Sequence, residues 1–320
     1  MFEQTKYIWV NDETIEWRDA HVHITNYALH YGVGVFEGIR AYNTENGAAV
    51  FRLKEHLERL YHSAKVYNLK IPYTQEELAN AICENIVKNG FAECYIRPLV
   101  YSGSGNLGIR ANTETKTAII CWGNTGHRSQ EALERGITVT VSPWRKIDAT
   151  MIPSTAKATG QYISSKLTVN EAISHGFDAA LLLNKDGFIA EGSVENLFIV
   201  KDGCVKTNDE RSSILMGITR DSVLQIANDL GFKTEVGFLT LEELFDADEA
   251  FFTGTATEIA PIRMVEDKTI DEGKRGAITK QIQERFNDIT HGRIESYNHW
   301  LYKVSFESRI QAASCRTSAD

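Results

Sequence analysis

Short alternating runs of apolar and polar residues open the chain and predict an antiparallel sheet. "YIWVNDETIEW" predicts two strands about a turn at Asn11-Asp12, and "GVFEGIRAYNTENGAAVFRL" predicts two more around the turn signal Asn46-Gly47. The spacing then becomes helical. Apolar residues three and four apart in "KEHLERLYHSAKVYNL" predict one helix, and Thr74 as cap with Gly90 as stop bounds a second.

Strand-like runs dominate the rest of the chain, with helices between them. "CYIRPLVYS", "TAIICWG", "ITVTVSPW" and "DAALLLN" predict strands, whereas "TRDSVLQIANDLG" and "AITKQIQERFND" predict helices. The polar stretch "NTGHRSQEALERG" separates two such regions. The pattern therefore predicts an α+β protein with a domain at 1–123, a linker at 124–135, a second domain at 136–303 and a tail at 304–320.

Composition and charge favour a protein that binds small molecules. The 320 residues are 42% hydrophobic and carry a net charge of −9, without a run of lysine or arginine. Such a surface does not favour nucleic acid or anionic lipid. The beginning of the sequence lacks an apolar signal core, and no apolar run is long enough to cross a bilayer. We therefore expect no nucleic-acid or membrane partner and a cytoplasmic location.

The cysteines predict neither disulfides nor a metal site. Their number is odd, and none forms a C-x-x-C pair or a local cluster with histidine; they are Cys83, Cys94, Cys121, Cys204 and Cys315. We expect buried or incidental thiols and no metal.

Lys157 is the most unusual residue. In "STAKATGQY" it has small neighbours, no adjacent acid, and a tyrosine, Tyr162, five residues later. Small flanking residues hydrate an ammonium group poorly, which favours the neutral amine that attacks a carbonyl. This environment suits a lysine nucleophile.

Further groups suggest acid–base chemistry and anion binding. Glu191 and Glu195 in "AEGSVENLF" could be an acid and base acting on a sugar, or one of them could face a cationic ring nitrogen. "MGITRD" places Ile218 and Thr219 at a helix start, and "TGTATEIAP" predicts a second tight turn, at Thr255; both kinds of backbone bind phosphate, although both also occur as ordinary caps.

The glycine pattern in "GSGNLG" at 103–108 matches a dinucleotide-binding signature. Such a site requires a helix directly after the loop, but "IRANTETKT" does not have a helical pattern. The glycines favour a loop that lets backbone approach another group closely.

Taken together, these groups indicate one cofactor. A lysine that forms a Schiff base, a carboxylate for a pyridine nitrogen, a tyrosine for a phenolate and turns for a phosphate are all used by pyridoxal 5′-phosphate.

Residues 7–303 resemble the fold type IV aminotransferases, and among them the bacterial branched-chain amino-acid aminotransferases. The resemblance lies in "HYGVGVFEGIRAY", "HLERLYHSAK", "YIRPL", "LGI", "STAKATGQYISS", "EGSVENLF", "GITRD" and "GTATEIAP". It implies a small α/β N-terminal domain, a larger pseudo-barrel C-terminal domain, and transamination of leucine, isoleucine and valine with 2-oxoglutarate. The D-amino-acid and amine transaminases and an aminodeoxychorismate lyase share this fold and are the alternatives.

The resemblance also implies residue roles. Lys157 would be the catalytic lysine, Tyr162 would bond the phenolate oxygen, and Glu195 rather than Glu191 would bond the ring nitrogen. The phosphate would be held by a set of four, Arg59, Ile218, Thr219 and Thr255. The substrate would be bound by Tyr31, Phe36, Gly38, Tyr95, Arg97, Ile109, Trp122, Thr255 and Ala256.

Two consequences concern recognition and assembly. Arg97 would meet the distal carboxylate of glutamate, and Asn124-Thr125 stands where relatives commonly carry an aromatic residue, so we expect weakened recognition of 2-oxoglutarate. The loops of Tyr31 and Ile109 would reach into a partner's pocket, which implies a homo-oligomer built on a dimer with shared sites.

Overall fold

The computed structural model describes residues 5–123 and 130–304. Contacts between residues divide the chain into two compact units. The first unit comprises residues 1–125 and 290–320, and the second comprises residues 126–289.

The strands, in chain order, are β1 (Tyr7–Val10), β2 (Glu13–Glu16), β3 (Gly34–Phe36), β4 (Ile39–Thr44), β5 (Gly47–Phe51), β6 (Cys94–Ser102), β7 (Thr115–Trp122), β8 (Ile137–Arg145), β9 (Ala179–Leu183), β10 (Ile189–Gly192), β11 (Asn196–Lys201), β12 (Cys204–Asn208), β13 (Lys233–Gly237), β14 (Glu249–Gly254), β15 (Glu258–Val265), β16 (Lys268–Thr269) and β17 (Leu301–Lys303). The α-helices are α1 (Tyr27–Tyr31), α2 (Leu53–Val66), α3 (Gln75–Asn89), α4 (Gln130–Arg135), α5 (Tyr162–Ser174), α6 (Ile218–Asp229), α7 (Leu241–Phe245) and α8 (Ala277–Thr290).

The first unit contains an eight-stranded sheet. Its strands lie in the order β17-β5-β4-β6-β7-β1-β2, and β3 pairs with β6. The predicted turn at Asn11-Asp12 joins β1 to β2, and both residues have positive φ. The β4–β5 turn falls at 45–46, one residue before the predicted position, because Gly47, with φ of 96°, already belongs to β5. The Asn-Gly signal thus locates this hairpin to within one residue.

Both predicted helices of the first unit are confirmed. The helical spacing on α2 buries Leu57 and Leu60. Helix α3 begins with a capping box in which Thr74 and Glu77 satisfy each other's backbone amides, and it ends at Gly90 in the left-handed conformation. Helix α2 packs on β3, and α3 packs on β1 and β7.

The second unit contains a nine-stranded mixed sheet. The order is β10-β9-β8-β15-β14-β11-β12-β13, with β16 beside β15. Strand β8 runs parallel to β9 and β15, whereas β11–β12 and β14–β15 are antiparallel hairpins. Phe198 and Phe251 stack at 5.1 Å in its buried interior. The β10–β11 turn and the β14–β15 turn lie at neighbouring strand ends, because β11 pairs with β14.

The structure differs from the expected boundaries at the C-terminal end. Residues 290–303 were expected in the second domain, yet they fall in the first unit, where β17 pairs with β5. This pairing joins residues about 250 positions apart, so no local sequence pattern predicts it. In the expected linker, 130–135 form helix α4, and 124–129 lie outside the described residues. Residues 305–320 of the expected tail also lie outside them.

Candidate active site

Lys157 and Tyr162 meet in the second unit. Residues Thr159–Gln161 form one turn of 3-10 helix that leads directly into α5, and this turn brings the two side chains together. The Lys157 Nζ donates a hydrogen bond of 2.6 Å to the Tyr162 Oη. Ala156 and Ala158 on either side are buried and Lys157 is half-buried, so the small neighbours noted in the sequence pack beside a partly exposed lysine.

Glu195 is a buried carboxylate between β10 and β11. Its Oε1 accepts a hydrogen bond from Thr257 Oγ1 at 3.0 Å, and its Oε2 accepts one from the amide of Val194 at 3.1 Å. The carboxylate lies over Gly192, where an added Cβ would stand 3.0 Å from Glu195 Oε2 and 3.1 Å from the Phe252 ring. Glycine at 192 therefore leaves the space in which this carboxylate lies.

Glu191 lies in a different environment. Its side chain forms an ion pair with Lys146, and its Oε2 also accepts hydrogen bonds from Asn196 Nδ2 and from the amide of Leu215. An ammonium, a side-chain amide and a backbone amide therefore surround this carboxylate. This distinguishes it from Glu195, whose carboxylate is held by a hydroxyl and an amide.

The start of α6 lies beside the residue that follows Glu195. Gly217 is the N-cap of this helix and no side chain caps it. An added Cβ on Gly217 would lie 2.1 Å from Asn196 Oδ1, so the helix start and this strand are in close contact. As predicted, Ile218 and Thr219 are the first two residues of the helix, where backbone amides lack partners within the helix.

The turn that contains Thr255 and Ala256 joins β14 to β15. Gly254 pairs with Glu258 across this hairpin, and a Cβ on Gly254 would lie 3.7 Å from Glu195 Cγ. Thr257 holds the same carboxylate by its hydrogen bond. The two turns therefore lie against each other, at the place where α6 begins.

A buried hydrogen bond links α5, the helix that begins at Tyr162, to the turn of Glu195. It joins Thr168 Oγ1, on α5, and Ser193 Oγ, which lie 2.9 Å apart. Sequence reasoning missed Thr168, Ser193 and Thr257. The sequence offers one signal for them, because each is a small polar residue among apolar ones. Such a residue requires a hydrogen-bond partner when it is buried.

In the first unit, Arg97 lies among three aromatic rings. Its guanidinium carbon is 4.5 Å from the ring centre of Phe36, 5.5 Å from Tyr95 and 5.7 Å from Trp122. A Cβ on Gly38 would stand 1.9 Å from the Tyr95 hydroxyl oxygen, so a side chain there would require the Tyr95 ring to move. The structure thus gathers five of the expected substrate residues, with Phe36, Gly38, Tyr95 and Trp122 near the guanidinium of Arg97.

Tyr31, the last residue of α1, and Ile109, in the loop before β7, form a separate exposed group in the same unit. Tyr31 is 42% exposed and donates a hydrogen bond to the carbonyl of Leu107, and Ile109 is 72% exposed. The Tyr27 hydroxyl donates to the carbonyl of Ile109 at 3.1 Å.

The glycine-rich stretch 103–108 forms a loop. No helix follows it among the described residues before β7, so the strand–loop–helix setting that a dinucleotide site requires is absent there.

Arg59 lies on α2 and binds a fully buried carboxylate. Its Nε donates to Glu37 Oε1 at 2.6 Å and its Nη2 donates to Glu37 Oε2 at 2.8 Å, while His56 Nδ1 lies 2.8 Å from the same Oε2. Burial by itself raises the pKa of Glu37, but Arg59 and His56 more than offset burial and hold that pKa well below its ordinary value. Sequence reasoning missed Glu37 and His56.

Among residues 5–123 and 130–304, no group of three or more metal-ligating side chains occurs. Over the same residues, no helix has the length and apolar character needed to cross a membrane. Cys83, Cys94, Cys121 and Cys204 are buried free thiols, as expected, and Cys315 lies outside the described residues.

Comparisons with known proteins show the family. The pattern of the class IV amino-transferases matches residues 34–265. The chain belongs to the class IV aminotransferase family. The branched-chain-amino-acid aminotransferase of Pseudomonas aeruginosa is 41% identical over 301 residues, which are 94% of this chain and 98% of that protein. The Escherichia coli K12 enzyme of the same name is 41% identical over 307 residues, 95% and 99% of the two chains.

Solved structures agree with this membership. A crystal structure of the Escherichia coli branched-chain aminotransferase superposes with a TM-score of 0.90 at 41% identity, covering 95% of this chain and 100% of that one. The branched-chain aminotransferase from Thermobaculum terrenum, in its pyridoxal phosphate form, gives 0.89 at 32% identity, covering 95% and 100%. The predicted α+β, fold type IV architecture is confirmed.

Class IV aminotransferases use pyridoxal 5′-phosphate, and the second unit's donor set fits it. An amine hydrogen-bonded to a phenol hydroxyl, a buried carboxylate and a helix start without a side-chain cap are the groups that such a cofactor requires. Lys157, Tyr162, Glu195 and the start of α6 are therefore the residues of this unit that would hold it.

Proposed function

We propose that this chain is a pyridoxal 5′-phosphate-dependent transaminase that exchanges amino groups between branched-chain L-amino acids and 2-oxoglutarate. Leucine, isoleucine and valine would yield the branched-chain 2-oxo acids, and 2-oxoglutarate would yield L-glutamate. The observation that carries the proposal is the Lys157–Tyr162 pair, in a chain that matches proteins named branched-chain aminotransferases over almost its whole length.

Lys157 would both hold the cofactor and move the proton. When bound, pyridoxal phosphate supplies a carbonyl that exchanges for the amino group and a ring that withdraws electrons from the substrate's Cα. The Nζ of Lys157 would take the proton from the substrate's Cα and deliver it to the carbon that carried the cofactor's carbonyl. Tyr162, 2.6 Å away, orients this amine, and the packed Ala156 and Ala158 restrict water beside it.

Glu195 would hold a proton at the ring nitrogen. Its carboxylate is buried, and the hydrogen bonds from Thr257 and Val194 fix its direction without neutralising its charge. A fixed carboxylate in a buried site stabilises positive charge on its partner strongly.

The phosphate would bind where α6 begins. The first amides of a helix and the positive end of its dipole both favour a dianion. Ile218 and Thr219 would donate there, together with Thr255 from the β14–β15 turn. Arg59 is the fourth residue that the family resemblance implies for the phosphate.

The cluster around Arg97 would give the substrate preference. Phe36, Tyr95 and Trp122 offer apolar surface for a branched side chain, and Arg97 offers a cation for the distal carboxylate of glutamate. One methylene in an apolar pocket changes binding by only about 1–3 kcal/mol. The enzyme should therefore accept leucine, isoleucine and valine alike.

The α-carboxylate is assigned to the β14–β15 turn. The backbone of Thr255 and Ala256 would bind it, as the family resemblance implies. Asn124-Thr125, the segment expected to weaken 2-oxoglutarate recognition, lies outside the described residues.

The proposal includes a cytoplasmic homo-oligomer built on a dimer with shared sites. Exposed apolar side chains support an interface, notably Ile109 at 72% and Ile163 at 68% exposure. Tyr31 and Ile109 would contact the partner's substrate.

A coupled transamination assay tests the proposed function. The purified chain with pyridoxal phosphate would be given L-leucine, L-valine, L-phenylalanine, L-alanine, D-alanine or an amine, with 2-oxoglutarate as acceptor. We expect L-leucine and L-valine to be the best donors. A clear preference for D-alanine or for the amine would instead place the chain with the other transaminases of this fold.

A further inference from the structure

Arg220 is a buried cation in the first turn of α6. The helix begins at Ile218, so Arg220 is its third residue, and it is only 3% exposed. An arginine keeps its positive charge at neutral pH. Burial disfavours that charge, and so does the positive end of the helix dipole, which lies at this turn. Both the burial and the position of Arg220 therefore oppose its charge.

The described residues give this guanidinium one hydrogen bond and no ion pair. Its Nη2 donates to the carbonyl of Asn208 at 2.5 Å. Its Nε is buried and has no hydrogen-bond partner in the part of the chain that the structure describes. Buried charges in proteins are ordinarily paired with an opposite charge. Among these residues, Arg220 thus lacks the partner that its burial requires.

Two carboxylates attract Arg220, but each is bound elsewhere. Asp209 Oδ2 accepts a hydrogen bond of 2.9 Å from Arg211 Nε, and these two residues form an ion pair. Asp221 Oδ2 accepts from Gln225 Nε2 at 2.8 Å in an exposed contact. Burial lowers the pKa of Arg220, and the attraction of Asp221 and Asp209 offsets that effect only in part. The fold therefore leaves the positive charge of Arg220 incompletely compensated.

The hydrogen bond to Asn208 does not explain why this residue is charged. Asn208 ends β12, and its own side chain is held by a hydrogen bond of 2.6 Å from its Nδ2 to the carbonyl of Ile189. A neutral amide side chain at position 220 could also donate to the Asn208 carbonyl. What a cation adds at this position is an attraction for an anion.

Thr219, the residue before Arg220, belongs to the proposed phosphate site. The proposed function assigns the phosphate to the amides of Ile218 and Thr219. Resting on that function, we propose that Arg220 supplies a buried positive charge that strengthens binding of the cofactor phosphate at the start of α6. The charge acts through space, while the bond to the Asn208 carbonyl holds the guanidinium in place. Attraction between a cation and a dianion is strong where little water intervenes.

The test compares pyridoxal 5′-phosphate with pyridoxal, which lacks the phosphate. The full chain, freed of cofactor, is titrated with each ligand in a buffer without phosphate, and absorbance gives the dissociation constants. Arg220→Gln removes the charge but keeps a donor for the Asn208 carbonyl. This variant should bind pyridoxal phosphate about 5- to 50-fold more weakly, the effect of one buried charge on a dianion. Its affinity for pyridoxal should change by less than about threefold, because that ligand carries no phosphate.

Arg220→Lys is the matched control, since lysine keeps a positive charge without the guanidinium fork. This variant should bind pyridoxal phosphate within about threefold of the wild type. A loss as large as that of Arg220→Gln would show that the shape of the guanidinium, rather than its charge, carries the effect, and would overturn the inference. Equal weakening of both ligands in Arg220→Gln, or no weakening, would also overturn it.

Unfolding temperatures separate this role from a purely structural one. Removing a buried charge that has no partner also removes the cost of burying it, so cofactor-free Arg220→Gln should unfold at or above the wild-type temperature. The same concentration of pyridoxal phosphate should raise that temperature less in the variant than in the wild type. A cofactor-free variant that unfolds well below the wild type, or does not fold, would contradict the proposed role of the charge.

The proposed function can fail separately. Failure of the wild-type chain to bind pyridoxal phosphate would contradict that function, and the unfolding temperatures of the cofactor-free chains would still test whether Arg220 is an uncompensated charge.

Discussion

The side-chain nitrogen of Lys157 lies 2.6 Å from the hydroxyl oxygen of Tyr162, five residues later in the chain. The single turn of 3-10 helix between the two residues brings their side chains together. The contact gives the lysine a defined direction and a hydrogen-bond partner. It is the local feature on which the proposed chemistry depends most.

Lys157→Ala should abolish transamination, because the variant lacks the amine that moves the proton. The absorbance of the lysine-attached cofactor should also disappear. The measurement is turnover with L-leucine and 2-oxoglutarate, together with the spectrum of the loaded protein. Lys166→Ala is the control, since Lys166 is exposed on α5 and should be replaceable without loss. Persistent turnover in Lys157→Ala would contradict the assignment.

Glu195→Gln should lower turnover by orders of magnitude while the cofactor stays bound. Glutamine fills the same space and keeps a contact with Thr257, but the charge that holds the proton on the ring nitrogen is lost. Turnover at saturating cofactor is the quantity to compare with Glu191→Gln. The Glu191 variant should be much milder, and the opposite order would reverse the roles of the two carboxylates.

Arg97→Leu should weaken glutamate and 2-oxoglutarate by roughly 10- to 150-fold, the cost of one charge-assisted hydrogen bond to a buried carboxylate. Leucine makes no such bond and should react almost normally. Half-reaction kinetics with leucine and with glutamate separate the two effects. Arg97→Lys keeps a cation without the planar fork, so it should fall between the wild type and the leucine variant. Equal losses for both substrates would show that Arg97 supports its aromatic neighbours instead.

Glu37→Gln should destabilise the first unit by about 3–5 kcal/mol at neutral pH, because it removes the anion that the partly buried Arg59 and the buried His56 face. Since the folded-state pKa of Glu37 is depressed, its contribution is complete above the ordinary value of 4.5 and is lost as the pH falls toward the folded pKa. The unfolding temperatures of wild type and variant should therefore converge as the pH is lowered below about 4.5. Glu58→Gln, an exposed site on the same helix, is the control. A difference that does not depend on pH would contradict this account.

Shared sites predict complementation between two inactive variants. An Ile109→Asp chain should lose activity because the loop no longer fits the partner's pocket, and Lys157→Ala loses activity within its own site. A mixed dimer of the two contains one site with both defects and one site with neither. Mixing the variants should therefore restore part of the activity, and no recovery despite demonstrated subunit exchange would contradict sharing.

Features set by neighbouring residues were predictable from the sequence. Helix ends are examples, because a few adjacent residues meet the backbone requirements of a helix end. They include the capping box at Thr74, the stop at Gly90 and the start of α6 after Gly217. The same holds for Lys157 and Tyr162, whose spacing is short and whose small neighbours are distinctive.

Contacts between distant segments were not predictable in this way. The pairing of β17 with β5, the hydrogen bond from Thr257 to Glu195, and the Glu191–Lys146 ion pair each join residues whose partners the local pattern does not specify. The family resemblance chose Glu195 over Glu191 for the ring nitrogen. In the structure both carboxylates are bound, Glu191 by Lys146 and Leu215 and Glu195 by Thr257 and Val194, so the choice between them stays a prediction.

The central claim is that the chain transfers the amino group of a branched-chain L-amino acid to pyridoxal phosphate held by Lys157. The most direct measurement is a single half-reaction, in which the loaded full chain is mixed with L-leucine in the absence of any acceptor. The account predicts that the absorbance of the lysine-attached cofactor disappears while a stoichiometric amount of 4-methyl-2-oxopentanoate forms, and that added 2-oxoglutarate restores the absorbance as L-glutamate appears. Absence of the 2-oxo acid, or a faster reaction with D-leucine than with L-leucine, would contradict it.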